Sequence, residues 1–525
     1  MEGAASVGTF APFPVKAVDF LSLYKSDSLV QNLAEGIRTS SSKPIRIKGL
    51  AGSLDAVLLA AVYKSVRSSH LVVLQDKEEA AYFFNDLQNI LVEKEVFLFP
   101  MSYKRPYEYD ETENANVLMR AEALNHLSAH PGSQIIISYP EAISEKVITK
   151  KTLANNTFII QRGQKLDRTF LEEFLHDSDF EKTEFVYEAG NFAVRGGIID
   201  VFSFAHELPY RIELSGEEVD SIRSFDPGSQ LSVESLEKVS LMPNVQTRLV
   251  QEDRQSLPEF MTTSTRIWIK DVQLTIDVLD TCFEKASKRF DHIVKESGAA
   301  GLALSPEHLL SAQAWLANLK DAPIIEFGHR SYFSNTTTFE FRSGPQPSFN
   351  KNFELLARNL VDHQRDGYAN FIAAEQSRQS DRLHGVFEEI EPDLRFQSLD
   401  FALRQGFVDH ALKIVCYTDH QIFERFHRYK AKEKFSKAKA LTFRELQSLQ
   451  PGDFVTHIDY GICKFAGLEK KEVNGREQEA VRLVFRDNDM LYASIHSLHK
   501  ISRYSGKEGA PPVVSKLGTD EWENK

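Results

Sequence analysis

Phe192-Ala193-Val194-Arg195-Gly196-Gly197-Ile198-Ile199-Asp200-Val201-Phe202, at the centre of the stretch from Lys182 to Pro243, decides how the chain reads. Downstream, Tyr210, Ile212 and Leu214 alternate with Arg211 and Glu213, the pattern of a half-buried strand. Ser215-Gly216-Glu217-Glu218 supplies a hairpin turn. The spacing predicts a returning strand over Val219 to Phe225, although its alternation is less regular, and Phe225-Asp226-Pro227-Gly228-Ser229-Gln230 follows. Upstream, Phe158-Ile159-Ile160 and a short helix from Thr169 to His176 complete a β-rich module over about 151–245, with one solvated face.

The chain has 525 residues, a length that suits roughly three to five domains, each able to bury a core. A hydrophobic content of 42% and a charged content of 26% are those of a soluble globular protein. No run of about 18 apolar residues predicts a membrane span, and Met1 to Phe20 lacks a secretory pattern. Cys282, Cys416 and Cys463 form no C-x-x-C pair, which points to a reducing cytoplasm and away from a metal site. The net charge of −13 implies that any nucleic-acid contact is local or belongs to parts outside this chain.

Before the module, residues 1–150 alternate short apolar strands (Ile45 to Ile47, Leu71 to Leu74, Phe97 to Phe99, Ile135 to Ile137) with helices (Leu54 to Val66, Glu78 to Leu91, Ala115 to Leu127). Such alternation predicts a parallel sheet covered on both faces. The turn Gly49-Leu50-Ala51-Gly52-Ser53-Leu54-Asp55-Ala56 has the strand, two glycines and helix of a phosphate-binding loop. That loop needs Gly, Lys and Ser or Thr where Leu54, Asp55 and Ala56 stand. Two like charges about 4 Å apart repel by roughly 1 kcal/mol in water and about 4 at intermediate dielectric, so Asp55 disfavours a phosphate. Gly49, Gly52, Ser53 and Asp55 are therefore read as a degenerate, non-functional phosphate loop.

After the module, residues 246–345 read as the second lobe of the first α/β domain, with the module inserted between the lobes. Its elements are a strand at Thr265 to Ile269, a helix at Val272 to Phe290 and a strand at Ile324 to Phe327. Pro345 and Pro347 mark a boundary, and residues 350–430 read as a further α/β domain of unknown role whose acidic cluster Glu388 to Glu391 is a solvated helix end. Seven Lys or Arg residues between Arg425 and Lys439 read as a solvated linker, with a nucleic-acid contact as the alternative. Thr442-x-x-Glu445 has capping-box form, closing a 431–449 linker segment. From about 450 to 505, Phe454 to His457, Val481 to Phe485, Leu491 to Ile495 and the turn Asn474-Gly475 suggest five short strands in a small β-barrel.

Two resemblances follow from these residues. The string Arg195 to Phe202, with the hairpin and Phe225-Asp226-Pro227-x-x-Gln230, resembles a module shared by two bacterial repair proteins. These are the B component of the excision nuclease (excinuclease B) and the N-terminal half of the transcription-repair coupling factor. Gly452-Asp453-x-Val455-x-His457-x-x-x-Gly461-Ile462, with Gly467-Leu468 and Ser497-Leu498-x-x-Ile501-Ser502-Arg503-Tyr504, resembles the RNA-polymerase-interacting domain of the latter family. Excinuclease B lacks that domain, so the combination is identified with the coupling-factor family. The aromatic stretch Phe99 to Tyr109 resembles the start of the damage-verifying hairpin of excinuclease B, but Asp110 to Asn114 runs straight into a helix and leaves no residues for a long hairpin to thread DNA.

The resemblance implies a multidomain α/β protein with a helicase-like parallel-sheet domain and a function in transcription-coupled DNA repair. Lys182, Phe192 and Arg195 would bind the A component of the excision nuclease (excinuclease A), with Ala193 standing where excinuclease B has another Arg. Leu468, Lys470, Lys471, Glu472 and Val473 would pair a strand edge with the RNA polymerase β subunit; an edge blunted by lysines against aggregation is the plain alternative. The ATP- and Mg-dependent DNA translocase motor of the family, and with it most contact with double-stranded DNA, is expected beyond residues 506–525, making this chain a fragment or a truncated product. No cofactor, catalytic residue or metal ligand is expected in the chain itself. Two other readings stand beside this one: a nucleotide-dependent DNA-remodelling enzyme using the 49–56 loop, and a transcription regulator acting through the barrel alone.

Overall fold

Ile45 and Ile47 are buried and Lys48 is exposed, and the four-residue strand they form lies inside a seven-stranded, wholly parallel sheet. A computed structural model describes residues 14–39, 43–91, 95–105, 108–112, 114–130, 132–178, 180–204, 206, 208–243, 253–297, 306–320, 322–374, 377–425, 449–457, 460–473, 476–494, 501–503 and 514–516. The chain divides into two units, Met1–Asn156 with Val245–Lys430, and Thr157–Asn244 with Ala431–Lys525.

In the first unit the sheet runs Thr337–Glu340, Ile45–Lys48, Ile324–Glu326, Arg266–Ile269, His70–Val73, Ile135–Ser138, Val96–Leu98. Strands from both sides of residues 157–244 thus interleave in one ladder. Isoleucine and valine dominate these strands because a parallel sheet covered on both faces has no solvated side. The helix Leu54–Ser65 is buried almost all round, from Leu54 through Tyr63, as expected of a helix enclosed by other elements. The helix Lys77–Ile90 is started by Asp76, whose carboxylate accepts from the Glu79 backbone N–H. The helix at Val272 continues to Ser297, past the Phe290 expected from the sequence.

A second, five-stranded sheet is ordered Ser343–Pro345, Phe407–Asp409, Ile414–Thr418, Ala369–Ala373, Gln397–Leu399. The sequence places a domain boundary at Pro345 and Pro347, yet one apolar cluster runs from Phe20, Val57 and Ile325 into Phe371, Leu403, Phe407 and Cys416. Pro345 itself belongs to an edge strand, where a missing N–H is tolerated. One face of the five-stranded sheet therefore joins the core of the first sheet, while Leu356, Ile372, Leu383 and Val415 pack in a cluster of their own.

In the second unit, residues 157–244 build a six-stranded sheet: Ser232–Leu236, Glu218–Phe225, Tyr210–Ser215, Ile198–Val201, Asn191–Arg195, Glu181–Lys182. All pairs are antiparallel except the last. The irregular alternation after Val219 has a cause: the ladder slips between Glu213 and Leu214 and again between Ser224 and Phe225. Residues 449–503 contribute a five-stranded antiparallel sheet ordered Met490–Ser494, Arg476–Val484, Gly461–Val473, Phe454–His457, Ile501–Arg503. The basic run after Arg425, the capping box at Thr442, the turn Asn474-Gly475 and Ser497-Leu498 lie outside the described residues.

Candidate functional site

Three places carry the residues singled out by the sequence. In the 157–244 module, side chains alternate between two faces of the sheet. One face sends Phe192, Ile199, Ile212 and Ile222 into a core with Leu171 and Leu175 of the helix Arg168–Asp177. The opposite face holds the small cluster Val186, Ala193, Phe202 and Phe225, and beside it a polar network centred on the fully buried Asp200.

Arg211 lies directly opposite Asp200 and grips it with two hydrogen bonds, 2.7 Å from Nε and 2.9 Å from Nη2. Arg195 makes an ion pair with the same carboxylate. It also donates to the Glu184 carbonyl at 3.0 Å and stacks over Phe185 at 5.1 Å. Arg211 stacks over Phe225 at 4.6 Å and donates to the Gln230 carbonyl. Gln230 donates to the carbonyls of Val186 and Pro227. The Asp200 hydrogen bond holds the Arg211 guanidinium above its ordinary pKa, against the opposing effect of burial. Two guanidiniums on one buried carboxylate fix a planar, donor-rich surface.

Lys182 and Arg195 emerge on opposite faces. Lys182 reaches Glu172 of the helix at 2.8 Å, where Arg168 also sits at 3.2 Å, and the Lys182 hydrogen bond draws the Glu172 carboxyl below its usual range. Phe192, read as a contact residue, has no exposed surface and packs edge-on against His176. It supports the sheet from within, because only every second residue of this strand can face outward. Asp200 and Arg211 stand in the motif, yet nothing in the sequence marks them as site residues; their adjacency depends on a cross-strand register that no local spacing encodes.

In the C-terminal sheet, Gly461–Val473 is half-paired. Gly461 to Lys464 pair with Phe454–His457, and Lys464 to Val473 pair with Arg476–Val484, so that Lys464 alone has a partner in both strands. Beyond Lys464, no other described strand covers the second edge. Gly467, at φ 106°, sits in the register shift between Phe465 and Leu468. Leu468 is exposed; for Lys470, Lys471, Glu472 and Val473 the backbone pairing alone is described. His457 and Cys463 are buried in the sheet, as expected of packing residues.

In the first unit, the loop after Ile45–Lys48 is knitted into the surrounding chain. Asp55 is paired with Lys270 at 2.8 Å, and Lys270 also holds Glu79 at 2.7 Å. Burial alone would lower the Lys270 pKa; the two carboxylates overcome it and hold the ammonium well above its ordinary value. The Ser53 hydroxyl donates to buried Asp86 at 2.6 Å and accepts from the Gln405 N–H at 2.9 Å. Among the described residues, no cluster of three or more His, Cys, Asp or Glu could hold a metal, and no helix is long and apolar enough to cross a membrane.

Comparison with known proteins agrees with both resemblances. Residues 158–246 match the UvrB interaction domain family, and residues 449–505 match the CarD-like/TRCF RID domain family. Similar curated proteins are the transcription-repair-coupling factors of Bacillus subtilis (strain 168), 21% identical over 94% of this chain, and of Myxococcus xanthus, 25% identical over 91%. The alignments cover 47% of either relative, so the chain spans about half the length of the curated relatives it matches.

Proposed function

We propose that this chain is a double docking platform for transcription-coupled DNA repair, carrying no nucleotide-driven step of its own. The strand edge Leu468 to Val473, in a barrel formed by residues 450–505, adds to a β-sheet of the RNA polymerase β subunit. The edge of that arm, beside which no other described strand pairs, is the observation that carries this reading: in strand addition backbone hydrogen bonds supply affinity and alternate side chains supply selectivity. Excinuclease A takes the edge of the six-stranded sheet where Lys182 pairs opposite Phe192 and Arg195 ends the strand Asn191–Arg195. The ATP-dependent DNA translocase that the family resemblance implies would act on polymerase held in this way.

Two pull-downs from one preparation test the proposal. Lys471→Glu should lose polymerase and retain excinuclease A. Arg195→Ala should lose excinuclease A and retain polymerase; Arg211 remains on Asp200 in that variant, so the sheet keeps its buried carboxylate paired. Capture of both partners by both variants refutes the site assignment. Micromolar ATP binding by the unaltered chain refutes the nucleotide-free reading.

A further inference from the structure

The glycines of the 49–56 loop have a use other than a phosphate. Gly52 adopts φ +55°, and a Cβ there would lie 2.5 Å from the carbonyl oxygen of Gly406. Gly49 adopts φ +76°, and a Cβ there would lie 1.9 Å from the carbonyl oxygen of Phe341. At both glycines another stretch of the chain comes closer than a Cβ would allow, and the absent side chains make that approach possible.

Hydrogen bonds complete the picture. The Ser53 N–H, at the mouth of the helix Leu54–Ser65, donates to the Gln405 carbonyl at 3.0 Å. The Gln405 N–H returns to the Ser53 hydroxyl, and the Arg404 N–H donates to Asp86 at 2.7 Å. Asn89 donates to the Ala402 carbonyl at 3.0 Å, and the Arg404 guanidinium covers the Tyr82 ring at 4.2 Å. Gly406 is pinned from behind by Gln421, which accepts from its N–H at 2.6 Å. Ala402 to Gly406 leads directly into Phe407–Asp409 of the five-stranded sheet.

We infer that the segment Ala402 to Gly406 is a built-in occupant of the ancestral phosphate cradle, and that the cradle now serves as a clasp joining the five-stranded sheet to the parallel sheet. A carbonyl dipole stands where a phosphate oxygen would accept from the loop. The Ser53 N–H, one of the backbone donors that such a loop would aim at an anion, is already paired with that segment. The residues present do not fit a nucleotide, and the misfit is steric as well as electrostatic. Correcting the charge at Asp55 is therefore not sufficient to restore binding. This goes beyond the docking proposal and does not depend on it.

Two measurements on the full chain test the clasp. The first is titration of the triple variant Leu54→Gly, Asp55→Lys, Ala56→Thr with a fluorescent ATP analogue and Mg²⁺. The expected result is no saturation at micromolar nucleotide; micromolar binding with the segment in place overturns the inference. The second is hydrogen exchange in the unaltered chain, which does not rely on the variant folding. The amides of Ser53, Arg404 and Gln405 should be protected like those of Ile414–Thr418, and Ser53→Ala should speed exchange at Arg404 and Gln405 roughly tenfold or more while leaving Tyr210–Ser215 unchanged. Exchange at Arg404 and Gln405 as fast as in an open loop in the unaltered chain overturns it.

Discussion

Replacing Asp86 by Asn should stabilise the first unit at neutral and alkaline pH. Asp86 is fully buried, with Ser53 and the Arg404 N–H as its donors and, among the described residues, no cation in a hydrogen bond to it. Burial pushes its carboxyl from 3.8 up to about 7, against the pull of those two hydrogen bonds. A raised folded-state pKa means the folded state holds the proton more tightly. The group's contribution is then full below 3.8 and is lost progressively as pH rises through about 7. The whole interval corresponds to about 4 kcal/mol. Asn removes this dependence and gives back about 1 kcal/mol, since the Ser53 hydroxyl loses its acceptor. A net gain of about 3 kcal/mol is expected near pH 8. From about pH 5 to about pH 8 the advantage over the parent should grow by about 3 kcal/mol. A chain of two units need not unfold in one step, so hydrogen exchange of the amides in Leu54–Ser65 and Lys77–Ile90 is the suitable assay. An Asp86→Asn variant less stable than the parent near pH 8, or a difference that stays constant with pH, refutes the argument.

Other consequences follow from the same kind of reasoning. Lys270→Met leaves Asp55 and Glu79 facing each other without their cation and should cost about 3 kcal/mol, most of it recovered when both carboxylates are also neutralised; hydrogen exchange of Leu54–Ser65 in the parent and the two variants checks this. Asp200→Asn strands two guanidiniums and should destabilise the six-stranded sheet by about 2 kcal/mol, below the usual range for a buried pair because the Arg195 side chain is 39% exposed. Arg195→Ala should cost less, and hydrogen exchange of the amides in Tyr210–Ser215 should rank the two in that order. All three cysteines are buried, and none forms a disulfide. Burial pushes the Cys282 and Cys463 thiols up to about 12, so a thiol reagent near pH 8 should react slowly with the native chain and with all three cysteines after denaturation.

Much of the architecture was legible because it rests on short-range periodicity. The apolar runs at Ile45, Leu71 and Ile135 gave buried parallel strands, and the alternation Tyr210-Arg211-Ile212-Glu213 gave a strand with one polar face. Leu54 to Val66 was legible as a helix, but its burial on every side was not. The charge of Asp55 was legible in the 49–56 loop, but its surroundings were not. What replaced the phosphate was beyond reach, since Gln405 lies 352 positions from Ser53 and carries no motif. The same holds for Lys270, which neutralises Asp55 from 215 positions away. Phe192 shows the converse: the motif named it, and the parity of the strand put it inside. Amino-acid order by itself determined which segments pair as strands or coil as helices, and which families the two modules resemble, because both depend on near neighbours. Only the tertiary structure decided which charges meet, which glycines permit close approach and which edge stays open, because those depend on register and long-range packing.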